Sequence, residues 1–545
     1  MVAARQSTSP ATARRTEDLR LGRFYTPRRV VDLALSIVAA LDGPVRTVWD
    51  PTCGAGAFLR PAAGRWPDAT LLGTDLDSAA LASLADLGAT LRTADLFALT
   101  PSDLPPQDLI LGNPPFLRSE RIPAADRERI RASLDLPVPV PRGVDTSLLA
   151  LLHASRFLAP GGRLAFVLPS TALDTAAGAP LRRWLAATHH VHTLVEPVDD
   201  PWFTDAAVHA VLVVLQRAAP GPTRLLRIRG TTTAPPPAGR LVDAARIAAA
   251  DQWSPLLRAP DSWFTVLERL APPPLSASLD LAYGLKPGIT GFFAPRTPPD
   301  VEPDCLVPFL RSLRPIDSYV LDPADVSDRL FLPPDPPPPK AAAWIAAGAA
   351  SRTRRGTPYP EVPSVRTYSP WWRLPAPASG PVLVPQFRAA RHHVIDNPHA
   401  VPVNNSAWFG RWRDPDDHPA GIALLNTSLL ALAAEVLGRT NLGDGLLTLY
   451  GPELAALPLP SPATYRNEPA LADAWARLSS RPVLPFPDEA EQPDRHALDA
   501  ALLAPHGLLD VAPTLRADAV ALLDERLQRA RKRRSARAAA ATIDP

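Results

Sequence analysis

The stretch DLILGNPPFLRSE, residues 108–120, concentrates residue types that make little sense as plain scaffold. An apolar run of strand character leads into Gly112 and then Asn113, Pro114, Pro115 and Phe116. Each proline fixes its own φ and drives the residue before it into extended conformations, so the turn is stiff. The Asn113 side-chain oxygen and the Pro114 carbonyl can then face one point, two acceptors matched to the two N–H donors of an exocyclic amine. Gripped this way, a weakly nucleophilic aromatic nitrogen is drawn toward tetrahedral geometry, with its lone pair free to attack a methyl in line. Positioning, and acceptors that stabilise the developing positive nitrogen, would supply much of the rate. Phe116 adds a face on which a base can stack.

A second constellation lies upstream. The run TVWD (47–50) leads into PTCGAGAFLRPA, which places Asp50 at a strand end, followed by Gly54 and Gly56 and then a helix. Small residues there let backbone N–H groups approach a ligand, and a helix start favours anionic groups. Asp75 ends the next apolar run, in GTDLD, where a carboxylate can accept both hydroxyls of a ribose. A third such end, TADLF, offers Asp95 to an adenine amino group and Leu96 to its ring. A dinucleotide fingerprint wants a third glycine where Leu59 stands, and Asp50 would repel a pyrophosphate but can pair with an ammonium. These features favour S-adenosylmethionine over NAD. A lone GxG loop is as often an ordinary turn, and three acids at successive strand ends carry the inference. Cys53 reads as a small residue filling the loop.

The elements that must position these groups are legible as alternation. Residues 47–50, 70–75, 108–113, 163–169, 192–197 and 209–216 read as strands, and 78–87 and 147–158 as helices. Upstream, Thr26 reads as an N-cap and Pro27 as the first helical residue of an amphipathic stretch. Strands alternating with helices predict an α/β domain with a largely parallel sheet, whose ligands sit at the carboxyl ends of the strands.

In order and spacing, YTP, DPTCGAGAFL, GTDLD, ADLF and DLILGNPPF resemble the gamma-type, TaqI-like N6-adenine DNA methyltransferases, and the resemblance continues through FLAPGGRLAFVLPSTAL (157–173) and WFTDAAVHAVLVVLQ (202–216). It implies a Rossmann-like S-adenosylmethionine-dependent methyltransferase core with a mixed α+β target-recognition domain and a helical C-terminal segment. Thr26, Asp50, Gly54, Gly56, Asp75, Leu76, Asp95 and Leu96 would line the cofactor site. Asn113, Pro114, Pro115 and Phe116 would hold the target adenine, with Phe203 on its other side, and the base would have to leave the duplex to get there. Ala150 stands where that group often carries an aromatic near the cofactor.

The rest of the chain is less specific. The 545 residues allow two or three domains, the net charge is only +2, and just three of 57 basic residues are lysine. Two cysteines and no apolar leader give the expectation of a soluble, cytoplasmic protein without a membrane span, and 421–438 reads as one interior helix. Residues 351–413 hold nine arginines against two acids, interleaved with aromatics, which suits phosphate contact and base-edge readout. Arg352, Arg354, Arg355, Arg388 and Arg391 are the candidate DNA contacts. Segments such as YGLKPGITGFF, PVLVPQFR and GDGLLTLYGPELAALPLP are similar to the recognition domains of the same enzyme group.

The expected organisation is a disordered 1–20, a catalytic domain over 21–220, a proline-rich linker over 221–280, target recognition over 281–460, and a helical segment with a basic tail over 461–545. With no nuclease-like acidic cluster legible, the reading is the modification component of a restriction-modification or phage-defence system. It would act on double-stranded DNA, with any restriction or defence subunit on a separate chain. An RNA or protein-glutamine amino methyltransferase, or a non-catalytic DNA-recognition subunit, are the alternatives.

Overall fold

The computed structural model describes residues 26–116, 122–198, 202–203, 209–230, 239–440 and 445–543. The expected disorder of 1–20, Tyr25 of the YTP motif, 117–120 of the opening stretch, 204–208, the proline run from 233 to 238 and the start of GDGLLTLY lie outside the described residues. The chain divides into two compact units, one comprising residues up to Ala259 together with those from Leu527 onward, the other Pro260–Arg526.

Among the described residues, nine strands build the sheet of the first unit: β1 (Thr47–Asp50), β2 (Thr70–Asp75), β3 (Thr90–Thr93), β4 (Gln107–Gly112), β5 (Leu158–Pro169), β6 (His190–Pro197), β7 (Ala210–Gln216), β8 (Thr223–Ile228) and β9 (Arg240–Val242). Their order is β3-β2-β1-β4-β5-β7-β6-β8-β9. Strands β1 to β5 pair in parallel, and β7 runs antiparallel to both β5 and β6. This is the doubly wound order, and its direction reverses between β1 and β4, where ligands of such sheets bind.

Alternation along the strands explains why both faces are covered. In β1, Val48 faces one core and Trp49 the other; in β4, Leu109 and Leu111 share the face opposite to Ile110. One face is packed by helix Arg28–Ala39 and the loop and helix after β1, through Val30, Ala34, Val38, Phe58 and Leu59. The other is packed by helices Thr146–Ser155 and Ala179–Thr188, through Leu148, Leu152, Leu181 and Leu185. A strand buried on both sides must be apolar at every position, which is why these runs read so clearly.

Several boundaries differ from expectation. The helix expected over 78–87 is Ser78–Ala82 followed by a 3-10 turn at Ala85–Leu87. Pro27, in extended conformation, is itself the N-cap of helix Arg28–Ala39, and its carbonyl accepts from the Val30 and Val31 amides, so Thr26 stands one residue too early to cap it. The segment expected as a linker from 221 belongs to the first unit as far as Ala259. Strand β8 pairs with β6, β9 with β8, and Val242, Ile247, Trp253 and Leu257 enter the core. Burial of a whole tryptophan outweighs the proline-rich composition around it.

The second unit contains a four-stranded antiparallel sheet, ordered Leu279–Tyr283, Ala407–Trp412, Val382–Pro385 and Ile395–Asp396. Residues 461–526 belong to the same unit and do not form a separate segment. The interior helix expected over 421–438 is two helices, His418–Leu424 and Ser428–Leu437, bent by 78°. Asn426 lies in the break, where its side chain accepts from the Val394 amide at 2.9 Å and donates to the Val394 carbonyl at 3.0 Å. Among the described residues no single helix is long and apolar enough to cross a membrane.

Candidate active site

The loop after β1 is tied to the end of β2. The Gly54 amide donates to Asp75 Oδ2 at 2.8 Å, the Cys53 amide to the Thr74 carbonyl at 3.0 Å, and the indole of Trp49 to Thr74 Oγ1 at 3.1 Å. The two glycines serve different ends. Both have positive φ, but a Cβ on Gly56 would lie 2.5 Å from Leu84, whereas one on Gly54 would meet nothing within 4 Å. Gly56 is there for packing, and Gly54 leaves bare backbone facing open space. Cys53 is buried against Gly73, in agreement with its reading as a filler.

Asp75 is half-buried and uses one lone pair of each carboxylate oxygen on backbone, the second from the Asp77 amide at 2.9 Å. Each oxygen retains acceptor capacity for a ligand hydroxyl. Leu76 beside it is 66% exposed, a bare apolar surface next to a polar one. Asp95 caps the 3-10 turn Leu96–Ala98 through the Phe97 amide and pairs with Arg129 of helix Ala124–Ser133 at 2.8 Å. That partner was not legible in the sequence. Leu96, expected against a ligand ring, points into the core at 6% exposure because the turn directs it inward. Ala150 is likewise buried in that core.

Asp50 is the electrostatic centre of the loop. It is 1% exposed, and burial above all, with the Asp75 charge added and the Thr52 amide opposing, pushes its carboxyl up to about 8. Two acids at one loop, Asp50 and Asp75, make a site that prefers a positively charged ligand. The donor set therefore fits S-adenosylmethionine: an acid for the ammonium, bare glycine backbone, and a second acid beside an apolar surface for the nucleoside.

The end of β4, just before the Asn113–Phe116 turn, lies directly against that acid. A Cβ on Gly112 would sit 3.0 Å from Asp50 Oδ1 and 3.3 Å from the Phe166 ring, so glycine lets β4 end close against both. The adjacency follows from the sheet, in which Val48 and Trp49 are register partners of Leu109 and Ile110. Asn113 is half-buried with its Oδ1 shielded from solvent, Pro114 is buried, and Pro115 and Phe116 are half-buried. Phe203, 6% exposed, meets the Phe116 ring edge to face, with centroids 6.0 Å apart and planes at 88°. A ring stacked between two others needs them about 7 Å apart and parallel, so this pair would have to turn and part slightly to admit one.

The basic candidates of the second unit separate into two kinds. Arg352, Arg354 and Arg355 are exposed on a tight hairpin, closed by the Thr353 amide on the Thr357 carbonyl at 2.8 Å and turned by Gly356 at φ +83. Arg388 is 5% exposed and lies within a buried cluster of His392, Glu435 and Arg526, so it is withdrawn from any DNA surface. Burial, only partly offset by Glu435, lowers its guanidinium to about 10. Arg391 spends its guanidinium on the carbonyls of Ile316 and Arg314 at 3.1 and 2.6 Å, a structural role. Arg526, first of the basic tail run, is also buried. The interleaved aromatics are largely interior: Tyr359, Tyr368, Trp371 and Trp372 belong with Phe292 and Phe293 to one cluster, and Trp408 stacks under Tyr283 at 3.6 Å.

A doubly wound sheet with an acid-flanked glycine loop after β1 and an Asn-Pro-Pro-Phe turn after β4 defines an S-adenosylmethionine-dependent methyltransferase fold. The sequence model described as N-6 DNA Methylase matches residues 12–70 and 74–227. The chain is 26% identical over 355 residues to the type II methyltransferase M.PaeR7I of Pseudomonas aeruginosa, covering 53% of this chain and 59% of that protein. It is 31% identical over 264 residues to the type II methyltransferase M.XamI of Xanthomonas campestris pv. amaranthicola, covering 44% and 47%. The chain thus spans about half to three-fifths of the length of these relatives. Among solved structures, the type IIG restriction endonuclease BpuSI aligns with 92% of this chain and 65% of its own at a TM-score of 0.42 and 12% identity.

Proposed function

We propose that this protein methylates the N6 amino group of a flipped-out adenine in double-stranded DNA, as the modification component of a restriction-modification or phage-defence system. The observation that carries the proposal is the packing of Gly112, the residue just before the Asn113–Phe116 turn, against Asp50, which supports an amine-gripping pair of acceptors and a cation-seeking acid sharing one end of the sheet. S-adenosylmethionine, when bound, supplies an electrophilic methyl on a sulfonium. Asp50 takes its ammonium, Gly54 gives backbone room, and Asp75 and Leu76 take the ribose and the neighbouring apolar surface, with Thr26 and Asp95 shaping the walls and Gly56 and Leu96 packed behind them. Asn113 and the Pro114 carbonyl accept the two N–H groups of adenine, Pro115 keeps the turn rigid, and Phe116 and Phe203 hold the ring. No base is required before attack, because the product amine sheds its extra proton to solvent.

In this reading the exposed arginines 352, 354 and 355 contact DNA phosphates or base edges from a target-recognition unit, any restriction subunit is a separate chain, and the protein works in the cytoplasm with the DNA. Incubation with methyl-tritiated S-adenosylmethionine and separate pools of unmodified DNA, RNA and protein tests the substrate class. Label entering DNA alone, as N6-methyladenine, is expected. Label confined to RNA or to protein glutamine would overturn the proposal.

A further inference from the structure

The Phe203 ring sits in the crossover between β6 and β7, and both stems of that crossover are held by one side chain from far down the chain. On the β6 side, Arg529 Nε donates to the Val198 carbonyl at 2.8 Å. On the β7 side, Arg529 Nη1 lies 3.3 Å from His209 Nε2, which is itself 3.3 Å from the Pro197 carbonyl. Backbone bonds fix the same two points to the sheet, the Val198 amide to the Ile228 carbonyl at 2.8 Å and the Ser170 amide to the His209 carbonyl at 2.7 Å. Arg529 is 9% exposed, in the part of helix Ala512–Ile543 that belongs to the first unit.

Beneath the stems lies a wholly buried acid. Glu196 is 0% exposed, 3.2 Å from Arg258, 3.5 Å from Arg227 and 3.7 Å from His209. Burial works to raise its carboxyl, but Arg258, His209, Arg227 and Arg529 overcome this and hold it at about 2. A permanently charged carboxylate at the end of β6 gives the guanidinium of Arg529 a reason to be drawn into the interior. A planar guanidinium can bridge two stems at fixed spacing; an ammonium on a flexible stem cannot.

We propose that Arg529 is a positioning residue for base binding: the C-terminal helix clamps both stems of the crossover and thereby sets the Phe203 ring against Phe116. The inference rests on the reading of Phe203 as the second face of the base site. In this reading Arg529 acts through Phe203.

The test uses full-length protein carrying Arg529→Ala, Arg529→Lys, Phe203→Ala and the Arg529→Ala/Phe203→Ala pair. Its substrate is a duplex bearing the methylation site found by modified-base sequencing, with 2-aminopurine at the target adenine for fluorescence. Each Arg529 variant is expected to lose roughly tenfold to a hundredfold in kcat and much of the flipped-base fluorescence, with S-adenosylmethionine affinity unchanged. The double variant is expected to be no slower than Phe203→Ala alone to within about twofold. Arg529→Lys keeps the charge beside Glu196, so it remains the deciding variant where Arg529→Ala fails to fold. Arg529→Lys with fluorescence and kcat within about twofold of wild type would overturn the inference, as would multiplicative losses in the double variant. Phe203→Ala with unaltered flipping would instead overturn the base-stacking reading itself, whatever Arg529 does.

Discussion

Replacing Asp50 with asparagine should change how both stability and cofactor affinity respond to pH. The Asp50 carboxyl is raised from 3.8 to about 8, by burial first and by Asp75 to a lesser extent. A carboxyl raised in the folded state carries an extra proton there between its unfolded and folded values. The contribution of Asp50 to stability therefore declines as pH climbs from about 4 to about 8. One pKa unit corresponds to about 1.4 kcal/mol, so Asp50 accounts for a loss on the order of 4 kcal/mol between pH 5 and pH 8 in the ligand-free protein. Asparagine is neutral throughout, and the variant should show a flatter profile and become the more stable protein toward pH 8. Urea unfolding at each pH without cofactor measures this directly.

A cationic ligand reverses the balance by pairing with the ionised carboxylate. Binding then expels a proton, and affinity for S-adenosylmethionine should strengthen by up to about tenfold per pH unit below pH 8 in the wild type. In Asp50→Asn the affinity should be weaker and its pH slope lost. Calorimetry in buffers of differing ionisation enthalpy would count the released proton. Parallel stability profiles for the two proteins, or wild-type affinity that falls with rising pH over this range, would refute the assignment of Asp50 to the ligand ammonium.

Other consequences follow from single contacts. Gly112→Ala forces a methyl within 3.0 Å of Asp50 and should cost about 1–3 kcal/mol of stability while abolishing S-adenosylmethionine binding, readable by thermal unfolding and calorimetry. Arg354→Ala/Arg355→Ala should leave stability within about 0.5 kcal/mol of wild type and reduce the slope of log affinity against log salt for DNA by about 2, measured by fluorescence anisotropy across salt concentrations. Glu435→Ala strips Arg526, Arg388 and His392 of their buried counter-charge and should cost about 3–5 kcal/mol in denaturant unfolding.

The legibility of the chain follows from how local each signal is. Strands β1, β2, β4, β5 and β7 are buried on both faces, so their apolar runs stand out, and the chemistry of their ends can be read from the next few residues. Strands β8 and β9 were hidden because a proline-rich stretch separates them and their partners are earlier strands. Counting arginines between 351 and 413 could not tell Arg354, exposed at a hairpin tip, from Arg388, whose counter-charge Glu435 is 47 residues away. The pairing of Arg129 with Asp95 and the clamp of Arg529 on the Val198 carbonyl depend on packing that no periodicity encodes. The 421–438 helix broke because Asn426 serves the Val394 backbone, a demand placed on it by tertiary structure.

Base-resolved sequencing of DNA from cells expressing the wild-type protein, beside DNA from cells expressing Asn113→Ala, bears most directly on the paired-acceptor grip. N6-methyladenine at one recurring sequence with the wild type, and none with an Asn113→Ala protein that still binds S-adenosylmethionine, is the predicted result. Methylation on cytosine, or adenine methylation undiminished by the substitution, would contradict it.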